Sequence, residues 1–179
     1  MDSTVESVLS HEADGHGSLA DRVAELTDER RLWELMSAYN WDEGFEVPLA
    51  VVTHPRCDRA LALRLFWELD DTARIHHSDE ANALRENHTA EARYQPEDFD
   101  RMVRYCSTLV SGLWEGTFPI GANSFDTGFF GLDDPALTDR QRALRTDRTR
   151  RAQQEYEDGF LRPVTPRSAD GTDPGERGV

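Results

Sequence analysis

The sequence contains no lysine, and all 20 of its basic residues are arginine. A Schiff base with pyridoxal phosphate requires a lysine amine, and the phosphate-binding loop of P-loop nucleotide hydrolases also requires a lysine. The composition therefore excludes both of these enzyme classes.

Cysteine and long apolar runs are also scarce. The only two cysteines, Cys57 and Cys106, lie outside any CxxC pair, which predicts no zinc framework and two reduced, partly buried thiols. No apolar run approaches the ~18 residues of a membrane span, and the N-terminus lacks the basic start and apolar core of a signal peptide. GxGxxG and GxSxG are absent. We therefore expect a cytoplasmic protein without a cofactor.

The net charge of −15, with a pI near 4.7, bears on possible partners, although many cytosolic proteins are equally acidic and have no basic partner. An acidic field repels nucleic acid and anionic membranes and favours a basic protein partner. Residues 139–162 are the exception, with seven arginines against five acidic residues. The sequence predicts that this basic helix packs against the acidic body of the same molecule.

Apolar residues recur at helical spacing between residues 18 and 162, which predicts one mainly α domain of about five to seven helices. The polar, glycine-containing ends, residues 1–17 and 163–179, are predicted to be disordered. Residues 117–131 are aromatic and glycine-rich and fit either a short hairpin or an ordered loop. Asp58 is placed to cap an almost wholly apolar helix, and such a helix is expected at the centre of the fold.

The densest polar stretches are residues 40–45 (NWDEGF) and 54–58 (HPRCD). An enzyme interpretation makes His54 the base, Asp42 its orienting acid and Cys57 a thiol nucleophile. The structural interpretation has Asp42 capping a helix, Gly44 supplying a turn and His54 bonding to the backbone. We favour the structural interpretation and predict no catalytic residue.

A second polar stretch contains His76, His77, Asp79, Glu80 and His88. Adjacent histidines point in different directions on a regular element, and the spacing lacks an HExxH motif. No metal site is predicted.

Residues 39–70 resemble a small bacterial family of unknown function with the pattern NWDDGF followed by HPxCD. The likeness continues more loosely along the chain, so that it covers roughly residues 30–150. Glu43 stands where that pattern has a second aspartate, and Arg59-Ala60 stands where Gly-Thr is common. The residues we assign to a structural motif on this resemblance are Asn40, Gly44, Pro48, His54, Pro55, Cys57, Asp58 and Trp67.

The resemblance implies an immunity or partner-binding role, since families of this kind tend to lie in bacterial accessory loci, including those of toxin systems. This implication is an analogy, because fold or family alone does not determine function. The first hypothesis is therefore a protein-binding module, most concretely an immunity protein that neutralises a basic toxin. The alternative is a small hydrolase or transferase that uses Asp42, His54 and Cys57. The candidate partner-binding residues are Trp41, Asp42, Glu43, Phe45, Asp70 and Asp71.

Overall fold

The computed structural model describes residues 3–10, 18–69 and 96–167, and these form a mainly helical single domain. The described residues contain eight α-helices, one more than the upper end of the predicted range. A short 3₁₀ turn, Trp41–Glu43, lies between α3 and α4. The helices are α1 (Ser3–Leu9), α2 (Leu19–Ala24), α3 (Glu29–Ala38), α4 (Glu46–Val52), α5 (Arg59–Glu68), α6 (Pro96–Glu115), α7 (Asp139–Glu155) and α8 (Asp158–Leu161).

Helix starts follow the capping residues in the sequence. Ser18 and Thr138 form capping boxes with Asp21 and Gln141, so that each cap side chain and the residue three positions later satisfy each other's backbone N–H groups. Asp58 caps α5 by accepting from the backbone N–H of Leu61. The helix start predicted at Asp58 is confirmed.

Helix α5 is the centre of the fold, as its composition predicts. Six of its residues are buried, and they lie on all sides of the helix: Ala60, Leu61, Ala62, Leu63, Leu65 and Phe66. It packs against α3 and α6, while α4 packs against α2 and α6. The long helix α6 buries one face only, through Phe99, Tyr105, Cys106, Leu109, Val110 and Leu113.

Residues 117–138 form an ordered loop and not a hairpin. The only pairing of extended segments within the described ranges is an isolated antiparallel bridge between Phe125 and Val164. A small second core of Phe129, Ala152 and Leu161 lies beside this loop, with Trp67 packed against it. Partners far away in the chain hold the loop in place.

Both ends of the domain extend beyond their predicted limits. Helix α1 lies in the arm predicted to be disordered, and its Val5 and Val8 are buried. Two valines are too few to distinguish this helix from a polar arm in the sequence. At the other end Val164 is buried, and the backbone N–H of Arg167 donates to the carbonyl of Gly121. Contacts with the ordered loop thus extend the domain past residue 162.

Within the described ranges no arginine of α7 forms an ion pair with an acidic side chain outside that helix, contrary to the prediction. Arg142 and Arg145 donate to backbone carbonyls of the loop before α7, and Arg148 stacks 4.6 Å from the ring centroid of Phe129. Arg150 and Arg151 pair with Asp147 of their own helix. Backbone carbonyls in an irregular loop accept hydrogen bonds from guanidinium groups, as carboxylates also do. The sequence pattern does not show which of these two kinds of acceptor an arginine contacts.

Candidate functional site

The 3₁₀ turn presents two carboxylates to solvent. The Asn40 side chain accepts from the backbone N–H of Asp42 at 3.2 Å, so Asn40 is the cap, not Asp42 as predicted. Gly44 ends the turn with φ of 91°, a left-handed conformation that glycine adopts without steric cost. Asp42 and Glu43 are both exposed. The backbone of the turn is therefore fixed while its two acidic side chains face outward.

The buried side of this turn packs against an aromatic cluster. The ring of Trp41 lies 5.9 Å from that of Tyr39 and 6.1 Å from those of Phe45 and Tyr105. Trp41 is half-buried, so part of its ring remains open to solvent. Phe45 is only 7% exposed, which removes it as a candidate anchor for a partner. The cluster fixes the orientation of Trp41.

Two further carboxylates lie close to the turn. The Tyr39 hydroxyl donates to the carbonyl of Gly44 at 3.0 Å. Its pKa is raised, first by burial and then by the negative charges of Glu43, Glu46 and Asp98. We call Asp42, Glu43, Glu46 and Asp98 the acidic face.

One arginine lies at the edge of the acidic face. Arg101 contacts Asp98 at 3.0 Å and Glu46 at 3.7 Å. Glu46 and Asp98 are thus partly neutralised within the molecule. Asp42 and Glu43 are the more exposed carboxylates of the acidic face.

Asp58 has the opposite environment, with 1% of its surface exposed. One carboxylate oxygen accepts from Leu61 N at 2.9 Å and the other from Asn123 N at 3.1 Å. A Cβ atom at Gly121 would lie 2.5 Å from the second oxygen, so only glycine allows the loop to approach this closely. Asp58 joins the start of α5 to the ordered loop.

Two other residues of α5 reach the C-terminal part of the chain. Arg59 donates to the carbonyls of Leu113 and Gly159 at 3.3 and 2.9 Å. Trp67 Nε1 donates to the carbonyl of Phe160 at 2.8 Å. Sequence reasoning missed Arg59, because nothing in the pattern indicates carbonyl partners so far away in the chain. The start and end of α5 form a structural junction.

The structure does not assemble Asp42, His54 and Cys57 into a catalytic group. The Cys57 thiol is buried, and burial raises its pKa, which leaves it a poor nucleophile. His54 Nδ1 accepts from the backbone N–H of Arg56 at 3.0 Å, and the imidazole also bonds to the backbone of Ala24. Neither residue is hydrogen-bonded to Asp42, whose side chain lies on the exposed turn.

The remaining candidates divide between buried, exposed and undescribed positions. Pro48 is buried in the first turn of α4, where proline is tolerated, and Pro55 is exposed. Asp70, Asp71 and residues 76–88 lie outside the described residues.

Within the described ranges no group of histidine, cysteine and acidic side chains is placed to hold a metal ion. None of the helices described there has the length and apolar character to cross a membrane.

Residues 27–103 match the model of a family described as a domain of unknown function, DUF4274. The chain resembles this uncharacterised family over less than half of its length. The match contains the 3₁₀ turn, the acidic face and the whole of α5, but not the ordered loop or α7. No curated protein and no solved structure matches the chain.

Proposed function

We propose that the chain is a cytoplasmic protein-binding module, most concretely an immunity protein that neutralises a basic bacterial toxin. The observation that carries this proposal is the pair of exposed carboxylates, Asp42 and Glu43, on a backbone fixed by Asn40 and Gly44. The backbone that carries both carboxylates is therefore already ordered before a basic surface binds to the turn. Little conformational entropy is then lost on binding.

The surroundings of the turn support a protein partner over a small ion. The half-buried ring of Trp41 lies beside the two carboxylates, and tryptophan is among the residues that contribute most at interfaces. The net charge of −15 attracts a basic partner over long range and raises the association rate. The same charge opposes binding to nucleic acid or to an anionic membrane.

The alternative of a small hydrolase or transferase has no support in the geometry. Its proposed thiol is buried with a raised pKa, and the His54 imidazole makes its bonds with the backbone. The proposed orienting acid lies on the exposed turn. A reaction at these residues would require them to leave their observed positions.

The proposal is tested by co-expressing the chain with the products of its neighbouring genes, measuring growth and co-purification. We expect one product to be toxic alone, to bind the wild-type chain and to be neutralised by it. The double variant Asp42→Asn/Glu43→Gln should bind at least about tenfold more weakly, with a smaller salt dependence, because it lacks two interface charges.

The matched control is Glu115→Gln/Asp133→Asn, which removes one glutamate and one aspartate at exposed positions away from the turn. This control should bind as the wild type does. The proposal is contradicted if no neighbouring product binds or is neutralised, or if the two double variants lose affinity equally.

A further inference from the structure

A groove of about 530 Å³ lies between α2, α4 and α6. Its apolar lining comes from Ala20, Ala24, Leu49 and Ala50, on the first two of these helices. Small-molecule sites typically have volumes of roughly 300–1,000 Å³, a mostly apolar lining and a few polar groups. The groove has the size and apolar lining of such a site.

The charged lining comes mainly from two arginines one turn apart on α6. Arg101 is paired with Asp98 and Glu46. Arg104 lines the same groove and is exposed, and its guanidinium group forms no ion pair or hydrogen bond with any residue in the described ranges. Most of the chain's charged residues are acidic, with 35 acidic residues against 20 arginines, so Arg104 places a positive charge in this groove on a largely acidic molecule. Its guanidinium donors are available to a ligand.

The other polar groups of the groove add no further charge. Burial lowers the pKa of His54, with nearby Arg56 acting in the same direction and the Ala24 backbone bond opposing both, so the imidazole is mainly neutral at pH 7. The Thr53 hydroxyl is bonded to the carbonyls of Leu49 and Ala50. Glu46 also lines the groove and pairs with Arg101. One uncompensated positive charge therefore remains, at Arg104.

We propose that this groove binds a small organic monoanion, with a carboxylate on Arg104 and a short hydrocarbon body over α2 and α4. A guanidinium group holds a carboxylate through two parallel hydrogen bonds, which fixes the orientation of the ligand. The hydrocarbon body covers the alanine and leucine side chains and removes apolar surface from water. This inference does not rest on the proposed function, since Asp42 and Glu43 do not line the groove.

An amide NMR titration with sodium octanoate tests the proposal. Octanoate should give saturable shifts in the residues of α2, α4 and α6. Octanol, which lacks the charge, and acetate, which lacks the hydrocarbon body, should each bind at least about tenfold more weakly. Octanol binding as tightly as octanoate would overturn the proposal, and so would octanoate shifts located away from the groove or failing to saturate.

Variants provide an independent test of the two halves of the site. Arg104→Gln should reduce octanoate affinity about tenfold, to the level of octanol, whereas Arg140→Gln, at an exposed arginine of α7, should not change it. Ala24→Phe should block the groove and abolish binding while the variant remains folded by circular dichroism. Asp42→Asn/Glu43→Gln should bind octanoate normally, which separates this site from the two exposed carboxylates of the 3₁₀ turn. Unchanged affinity in Arg104→Gln would refute the assignment.

Discussion

Asp42 and Asp58 are both acidic residues of the segment 40–58, and their side chains lie in opposite environments. Asp58 is buried and accepts from two backbone N–H groups, whereas Asp42 is exposed on the 3₁₀ turn. A buried carboxylate is stable only when hydrogen bonds replace its lost hydration. Asp58 therefore contributes to the fold, whereas the exposed Asp42 is the residue that we propose contacts a partner.

The two cysteine thiols are predicted to be unreactive in the folded protein. Burial raises the pKa of Cys106 to about 12 and raises that of Cys57 as well, so both remain protonated at pH 8. A thiol reagent such as dithionitrobenzoate should label neither within minutes at pH 8 and both in 6 M guanidinium chloride, about the denaturant strength that unfolds even very stable domains. Rapid labelling of one thiol in the native protein would contradict their assignment as structural residues.

At the residue scale, the sequence predicts hydrogen-bond partners that lie a few positions apart, but not partners that lie far apart in the chain. The cap formed by Asp58 is predictable, because its partner Leu61 lies three positions away. The second partner, Asn123, is 65 positions away, and no local pattern indicates it. The burial of Phe45 likewise depends on Tyr105 of α6, whose ring lies 5.4 Å away.

At the scale of elements, a helix can be predicted from an apolar period and a capping residue. The residues that each helix packs against cannot be predicted in this way. The starts of α2, α5 and α7 follow Ser18, Asp58 and Thr138. Helix α7 buries only Thr149 and Ala152, so it has almost no apolar face to show where it packs. Its contacts with loop carbonyls are specified by the loop conformation, which the sequence does not reveal.

The capping box of α7 should carry a measurable share of its stability, because this helix has so little buried surface. Thr138→Ala removes the hydroxyl that accepts from Gln141 N, and loss of such a cap costs about 1 kcal/mol. Far-UV circular dichroism during urea unfolding measures this loss in the free energy of unfolding.

Thr146→Ala is the matched control in the same helix. The Thr146 hydroxyl donates back to the carbonyl of Arg142, an exposed bond of little value, and alanine is the better helix former. This variant should be as stable as the wild type or more stable by a few tenths of a kcal/mol. Equal losses in the two variants would show that the capping box is not the source of stability.

At the scale of the whole molecule, α5 joins the N-terminal helices to the C-terminal segment. Its start and end bond to Asn123, Gly159 and Phe160 through Asp58, Arg59 and Trp67. These bonds span 65 to 100 positions of the chain. The sequence showed that α5 is central from its composition, but only the folded chain shows which segments it holds together.

We propose that the segment 40–58 stabilises the fold at Asp58 and contacts a partner at Asp42. The most direct test compares the free energies of unfolding of Asp58→Asn and Asp42→Asn in urea. Asparagine at 58 retains an oxygen for Leu61 N but places an amide N–H against that of Asn123, so a loss of about 1–3 kcal/mol is predicted. Asp42→Asn should change stability by less than about 0.5 kcal/mol. Equal losses in the two variants, or no loss in Asp58→Asn, would contradict the claim.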